Sequence, residues 1–153
     1  MRYIAAKNAK IFFTRHGQSL GNIGIESINS PLSELGREQS SKLSGHYDCV
    51  VISPLRRCRE TLMNSKITYD DLHISYNFRE RIFGPSCMLT QEDKETESDS
   101  DFFIRVNAFH MELETLCMEY KNILLIGHAY FFNAWYRQGC YPPPDNANII
   151  EIS

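Results

Sequence analysis

Short apolar runs alternate with longer amphipathic stretches along this chain, and the alternation predicts its elements. Ile11-Phe12-Phe13 reads as a buried strand that stops abruptly at Thr14-Arg15-His16-Gly17-Gln18-Ser19. A loop rich in Gly, Asn and Ser follows from Gln18 to Pro31, then a helix from about Glu34 to Leu43, with Ser33 as its N-cap and Gly36 weakening its first turns. Asp48 to Ser53 has the continuous apolar character of a strand buried on both faces. Pro54 stands where a first helical position suits proline, and Leu55 to Asn64 reads as helix. Leu72 to Tyr76 alternates weakly as a third strand. Phe102, Val106, Phe109, Leu113, Leu116 and Cys117 recur at helical spacing, so a long helix is expected over Phe102 to Tyr120. Asn122 to Gly127 is another buried strand, Tyr130 to Gln138 a helix, Pro142-Pro143-Pro144 a stiff connector, and Ala147 to Ile152 a last strand. Strands alternating with helices predict an α/β three-layer sandwich, its mostly parallel central sheet flanked by helices.

The chemistry gathers at the strand ends. Three expected strands finish in polar residues: Arg15-His16, then Ser53 with Arg56, Arg57 and Arg59 just beyond, then His128. Parallel strands present their C-terminal ends on one edge, where ligands bind in open α/β sheets. Two histidines and two or more arginines at one point repel one another unless an anion offsets them. Phosphate suits best, because guanidinium forks match its oxygens. The bland alternative for Arg15-His16 is a surface turn with incidental charge.

Composition narrows the classes. A chain of 153 residues with 42% hydrophobic and 23% charged residues fits a single soluble domain. A net charge of -3 argues against nonspecific nucleic-acid or membrane-surface binding, since both need a positive footprint. Cys49, Cys58, Cys87, Cys117 and Cys140 are widely spaced, with no C-x-x-C pair, so neither a zinc ribbon nor a disulfide framework is expected. None has an arginine six residues on, which excludes a cysteine-dependent phosphatase. Lys7 and Lys10 interrupt any signal-peptide core, and Ile123 to Tyr136 is too short and too polar to span a bilayer; a cytoplasmic protein is expected. No Walker-type loop is present, and Asp99-Ser100-Asp101 lacks the preceding strand of an aspartyl-phosphate site. Phe78 to Asp101 is the least regular region. Its acidic portion, Glu92 to Asp101, reads as a solvated loop and helix start with Asp99 or Asp101 in the first turn; the alternative is a mobile lid.

Thr14-Arg15-His16-Gly17 with Asn22 resembles the signature of the histidine phosphatase superfamily, the phosphoglycerate mutase-like proteins. Pro31 to Gln39 is similar to a second family stretch, and Ser53-Pro54-Leu55-Arg56-Arg57-Cys58-Arg59-Glu60-Thr61 to a third. Arg79 to Gly84 resembles the segment bearing the acid, and Leu124-Leu125-Ile126-Gly127-His128 the strand carrying the second histidine. The likeness runs through nearly the whole chain in order. It implies that His16 is the nucleophile and that Arg15, Arg57 and His128 hold the phosphoryl oxygens. Glu80 would be general acid and then base, and Asn22, Arg81, Gly17 and Ser19 would contact phosphate or substrate. It also implies no metal and no cofactor, and a small phosphorylated metabolite or a phosphoprotein as partner.

Two departures stand out: Ala129 where the family usually has glycine, and Pro85-Ser86-Cys87 in place of an aromatic-acid-glycine run. The short interval from Arg57 to His128 implies a reduced cap at about 78–101 within a single domain, which favours a phosphatase. A phosphoglycerate mutase or related phosphotransferase, and a non-catalytic phosphate-binding module, are the alternatives. For Glu80, between Arg79 and Arg81, the competing reading is a surface ion pair.

Overall fold

A computed structural model describes residues 1–5 and 8–153, so Lys7 lies outside the described residues. Its elements are β1 (Lys10–Arg15), α1 (Glu34–Ser41), β2 (Ser44–Ile52), α2 (Arg56–Asn64), β3 (Lys66–Ile74), α3 (Asp99–Leu116), β4 (Asn122–Gly127), α4 (Ala129–Phe132, widening into a π-turn over Asn133–Arg137) and β5 (Ile150–Glu151). The sheet order is β3-β2-β4-β1-β5, parallel except for β5 against β1.

The period of two in the central strands divides the core between two layers. Ile123 and Leu125 of β4, with Cys49 and Val51 of β2, face Phe102, Val106, Phe109 and Leu113 of α3 and Phe131, Phe132 and Trp135 beyond β4. Leu124, Ile126, Val50 and Ile52 face the other way, onto Cys58 and Leu62 of α2. The result is the three-layer α/β sandwich that the alternation of elements predicts. Among the described residues, no helix is long and apolar enough to cross a membrane.

Several boundaries differ from expectation. β3 starts at Lys66 rather than Leu72 and ends at Ile74. It is an edge strand paired, among the described residues, with β2 alone, and most of its side chains are exposed, so its periodicity is faint. Pro54 precedes the N-cap, Leu55, and is not the first helical residue; Leu55 is extended at φ -62°, ψ 141°. α3 begins at Asp99, where the Ser98 hydroxyl accepts from Asp101 N, and ends at Leu116 rather than Tyr120. The last strand shrinks to Ile150–Glu151, because Ala147 takes a left-handed φ of 47° that interrupts an extended run.

Candidate active site

The ends of β1, β2 and β4 meet at one edge. His16 N donates to Gly127 O (3.1 Å) and Ser53 N to Ile126 O (3.2 Å), so hydrogen bonds continue from the sheet into the polar residues beyond each strand. The His16 and His128 rings lie 5.3 Å apart, both buried. Arg57, in the first turn of α2, points its Nε at His16 Nε2 at 3.2 Å. The structure therefore gathers His16, Arg57 and His128 directly.

Each group is held from behind. His16 Nδ1 lies 2.6 Å from Gly17 O and donates to it, which leaves Nε2 as the ring's lone-pair nitrogen, a tautomer assigned from the hydrogen-bond network. Asn146 Nδ2 donates to His16 O (2.9 Å) and Gly17 N to Thr61 Oγ1 (2.9 Å), while the Thr61 hydroxyl donates to Arg57 O (2.7 Å). One threonine thus links the histidine loop to the arginine helix. His128 Nε2 is 2.8 Å from Ser53 Oγ, which also accepts from Leu55 N (3.3 Å). We assign the Ser53 proton to Nε2 and the imidazole proton to Nδ1, since Ser53 Oγ already accepts from Leu55 N and Nε2 is the acceptor facing it. His128 Nδ1 and Arg15 Nε are buried without a partner among the described residues. Buried donors are seldom left unmatched, so these two point to an anion.

Glu80 is buried and carries its own cradle. Its Oε1 accepts from Arg81 N (3.0 Å) and Phe131 N (2.8 Å), and its Oε2 from Tyr130 N (3.0 Å), which seats the carboxylate on the first turn of α4. These contacts replace the surface ion pair weighed for Glu80. Its neighbours Arg79 and Arg81 turn elsewhere, to Tyr76 O and to Asp99 respectively.

Electrostatics follows from burial and from the guanidinium groups. Burial first, then Arg57, holds His16 and His128 well below the ordinary histidine range, so both are neutral at pH 7. Burial raises the Glu80 pKa, opposed by the Arg81 backbone N–H, the Arg57 charge and the N–H groups of Tyr130 and Phe131. Burial lowers Arg15, which Glu80 counteracts. Cys58, 3.5 Å from His128 Nε2, is pushed up to about 12 by burial and stays a thiol, inert as a nucleophile.

The other sequence candidates are placed less directly. Ser19 and Asn22 clasp each other: Ser19 N donates to Asn22 Oδ1 (3.0 Å) and Asn22 N to Ser19 Oγ (3.2 Å). Both backbone polar groups of Gly17 are engaged within the protein, so Gly17 acts through position. Arg81 is committed to Asp99 (2.6 Å), the Tyr130 hydroxyl (3.2 Å) and the faces of Phe83 and Phe102. The segment expected to form a cap does reach the site, since Arg57 Nη1 donates to Ser86 O at 2.6 Å. The acidic stretch is largely exposed, as expected for a solvated loop and helix start, with Asp99 and Asp101 in the first turn of α3; Glu97 departs from this, its side chain turned onto Arg105.

Gly36 lets α1 approach the histidine loop. Ser33 caps the helix, accepting from Gly36 N (3.0 Å), and Ser33 N donates to Gln18 O (2.9 Å). A Cβ at Gly36 would collide with the Gln18 carbonyl oxygen, which is backbone and cannot yield cheaply, and one at Gly17 would stand 2.5 Å from Gly36 O. Gly36→Ala is expected to lower stability by about 2–3 kcal/mol, or roughly 5–10 °C in Tm, despite alanine's better helix propensity. Thermal denaturation followed by circular dichroism checks this.

A sequence profile of the histidine phosphatase superfamily (branch 1) matches residues 11–97, more than half of the chain. The chain belongs to this superfamily. Solved structures agree on the fold. The alpha-ribazole phosphatase from Shigella flexneri is 20% identical, with a TM-score of 0.68 over 92% of this chain and 88% of that one. A mycobacterial glucosyl-3-phosphoglycerate phosphatase, solved in complex with VO3, is also 20% identical, with a TM-score of 0.67 over 95% and 91%. A search of curated protein sequences returns no match.

Thr61 and Asn146 are site residues that motif reasoning passed over. Thr61 was findable: it lies four residues after Arg57, on the same helical face. Asn146 had no such signal, since only the folded tail brings it to His16.

Proposed function

We propose that this chain is a metal-independent phosphomonoester hydrolase that works through a phosphohistidine on His16. The observation that carries this reading is the His16 imidazole itself. It is buried and neutral, tied through Nδ1 to Gly17 O, and its Nε2 lone pair lies among Arg57, His128 and Arg15.

His16 Nε2 attacks phosphorus and the bond to the leaving oxygen breaks. Arg57 turns its Nε from His16 to a phosphoryl oxygen, while His128 Nδ1 and Arg15 Nε donate to the others and stabilise charge in the in-line transition state. Glu80, its pKa raised, protonates the leaving oxygen, then takes a proton from the water that attacks the phosphohistidine. Phosphate leaves and His16 returns to its neutral state. The substrate is a small phosphorylated metabolite or a phosphoprotein.

Release of inorganic phosphate from a panel of phosphoesters in the presence of a chelator tests the proposal. Turnover with loss of phosphate to water is expected. Interconversion of 2- and 3-phosphoglycerate with a trace of the bisphosphate, and no free phosphate, would instead make the chain a mutase. Vanadate binding without turnover of any ester would make it a binding module.

A further inference from the structure

We propose that Arg105, on α3, is a positioning residue for the Glu80 carboxyl, an inference that rests on the phosphatase reading above. Arg105 interrupts the inward stripe of α3 between Phe102 and Val106 and is only 8% exposed, so its charge must be answered by neighbours. Every donor of its guanidinium is used. Nε and Nη2 form a fork onto Glu97 at 3.0 and 2.7 Å. Nη1 donates to Asn77 O (3.0 Å) and Arg79 O (2.5 Å), and Nη2 also donates to Glu80 O (3.3 Å).

The backbone from Asn77 to Glu80 leaves the sheet in a single 3-10 turn and then runs on as irregular chain, so no strand donates to its carbonyls. Arg105 supplies that missing support. The other half of the grip is the carboxylate on Tyr130 N and Phe131 N. The two halves share a wall, because the Arg105 guanidinium lies over the Phe102 and Phe131 rings at 5.3 and 5.7 Å. Glu97 neutralises Arg105 and accepts from Ile82 N (3.4 Å), closing the loop on the far side of Glu80. Arg105 touches the backbone of Glu80 and not its carboxyl, so it acts on where the acid stands.

Proton donation matters in proportion to the basicity of the leaving oxygen. A nitrophenolate leaves unaided, whereas an alkoxide needs the proton. In the step that forms the phosphohistidine, a displaced Glu80 therefore penalises alkyl esters selectively, by about 100-fold for a shift near 1 Å. Arg105→Lys keeps the charge for Glu97 but loses the fork that spans the carbonyls. We expect kcat/KM on glycerol phosphate to fall about 30–100-fold, with kcat/KM on p-nitrophenyl phosphate within about threefold of the parent; kcat is not the readout, because hydrolysis of the phosphohistidine, which also uses Glu80, is common to both esters. Glu80→Gln should show the same split, more strongly. Arg105→Lys losing both activities equally, or neither, while Glu80→Gln shows the split, overturns the inference and leaves the phosphatase reading intact. No turnover of either ester by the parent protein sinks that reading and this inference with it. If Arg105→Lys does not fold, Glu97→Gln decides: it leaves Arg105 in place but weakens its fork, so a smaller split is expected and an even loss is the contrary result.

Discussion

His16→Ala is expected to abolish turnover, lowering kcat/KM by about 10⁴-fold or more, roughly 5–6 kcal/mol of barrier. The size follows from the absence of a substitute. Among the buried groups around phosphorus, Cys58 is locked as a thiol by its raised pKa, and His128 spends its lone-pair nitrogen on the Ser53 hydroxyl. Neither can take over attack. Because, among the described residues, the His16 ring bonds only to Gly17 O and to the Arg57 Nε that it would release in the reaction, its loss should spare the fold, so circular dichroism should change little beside the catalytic loss. Near-parental activity in this variant would place the nucleophile elsewhere.

The second large effect is expected at Arg57, which serves two ends. It holds a phosphoryl oxygen in the proposed reaction, and its charge lowers the pKa of both His16 and His128. Arg57→Ala is expected to cost about 10³-fold in kcat/KM, at the upper end for one charge-stabilising donor. Arg57→Lys should recover only part of this, because an ammonium lacks the fork that meets His16, Ser86 and Cys87 together. The pH profile separates the two functions. With the guanidinium gone, the pKa of His16 moves back up toward the ordinary histidine range. A protonated imidazole cannot attack, so the acid limb of kcat/KM shifts to higher pH. Arg57→Lys, which keeps the charge, should retain most of the parental limb. An acid limb that stays in place in Arg57→Ala would mean that burial alone keeps His16 neutral.

Much of this site was legible because it sits where apolar runs stop. Arg15-His16, Ser53 and His128 each end a strand that hydrophobicity marks clearly, and parallel pairing does the rest. The support behind them was harder to read. Gly36 looks like a defect in a helix until Gln18 O is placed against it. Glu97 sits in an acidic run whose local pattern says solvent, yet it meets an arginine eight residues on. Arg105 did leave a trace, a charge on the buried face of an otherwise apolar stripe, but its partners at Asn77, Arg79 and Glu80 belong to a segment without periodicity. β3 was misjudged at its start for the reason edge strands often are: with one partner and an exposed surface, little constrains the alternation of its side chains.

The most direct measurement is rapid acid-free quenching of the protein with a ³²P-labelled phosphomonoester, followed by mapping of the labelled peptide. Phosphate is expected on His16, stable in base, lost in acid, and formed and discharged at rates compatible with turnover. Label on another residue, or full turnover with no phosphoenzyme and direct inversion at phosphorus, would contradict it.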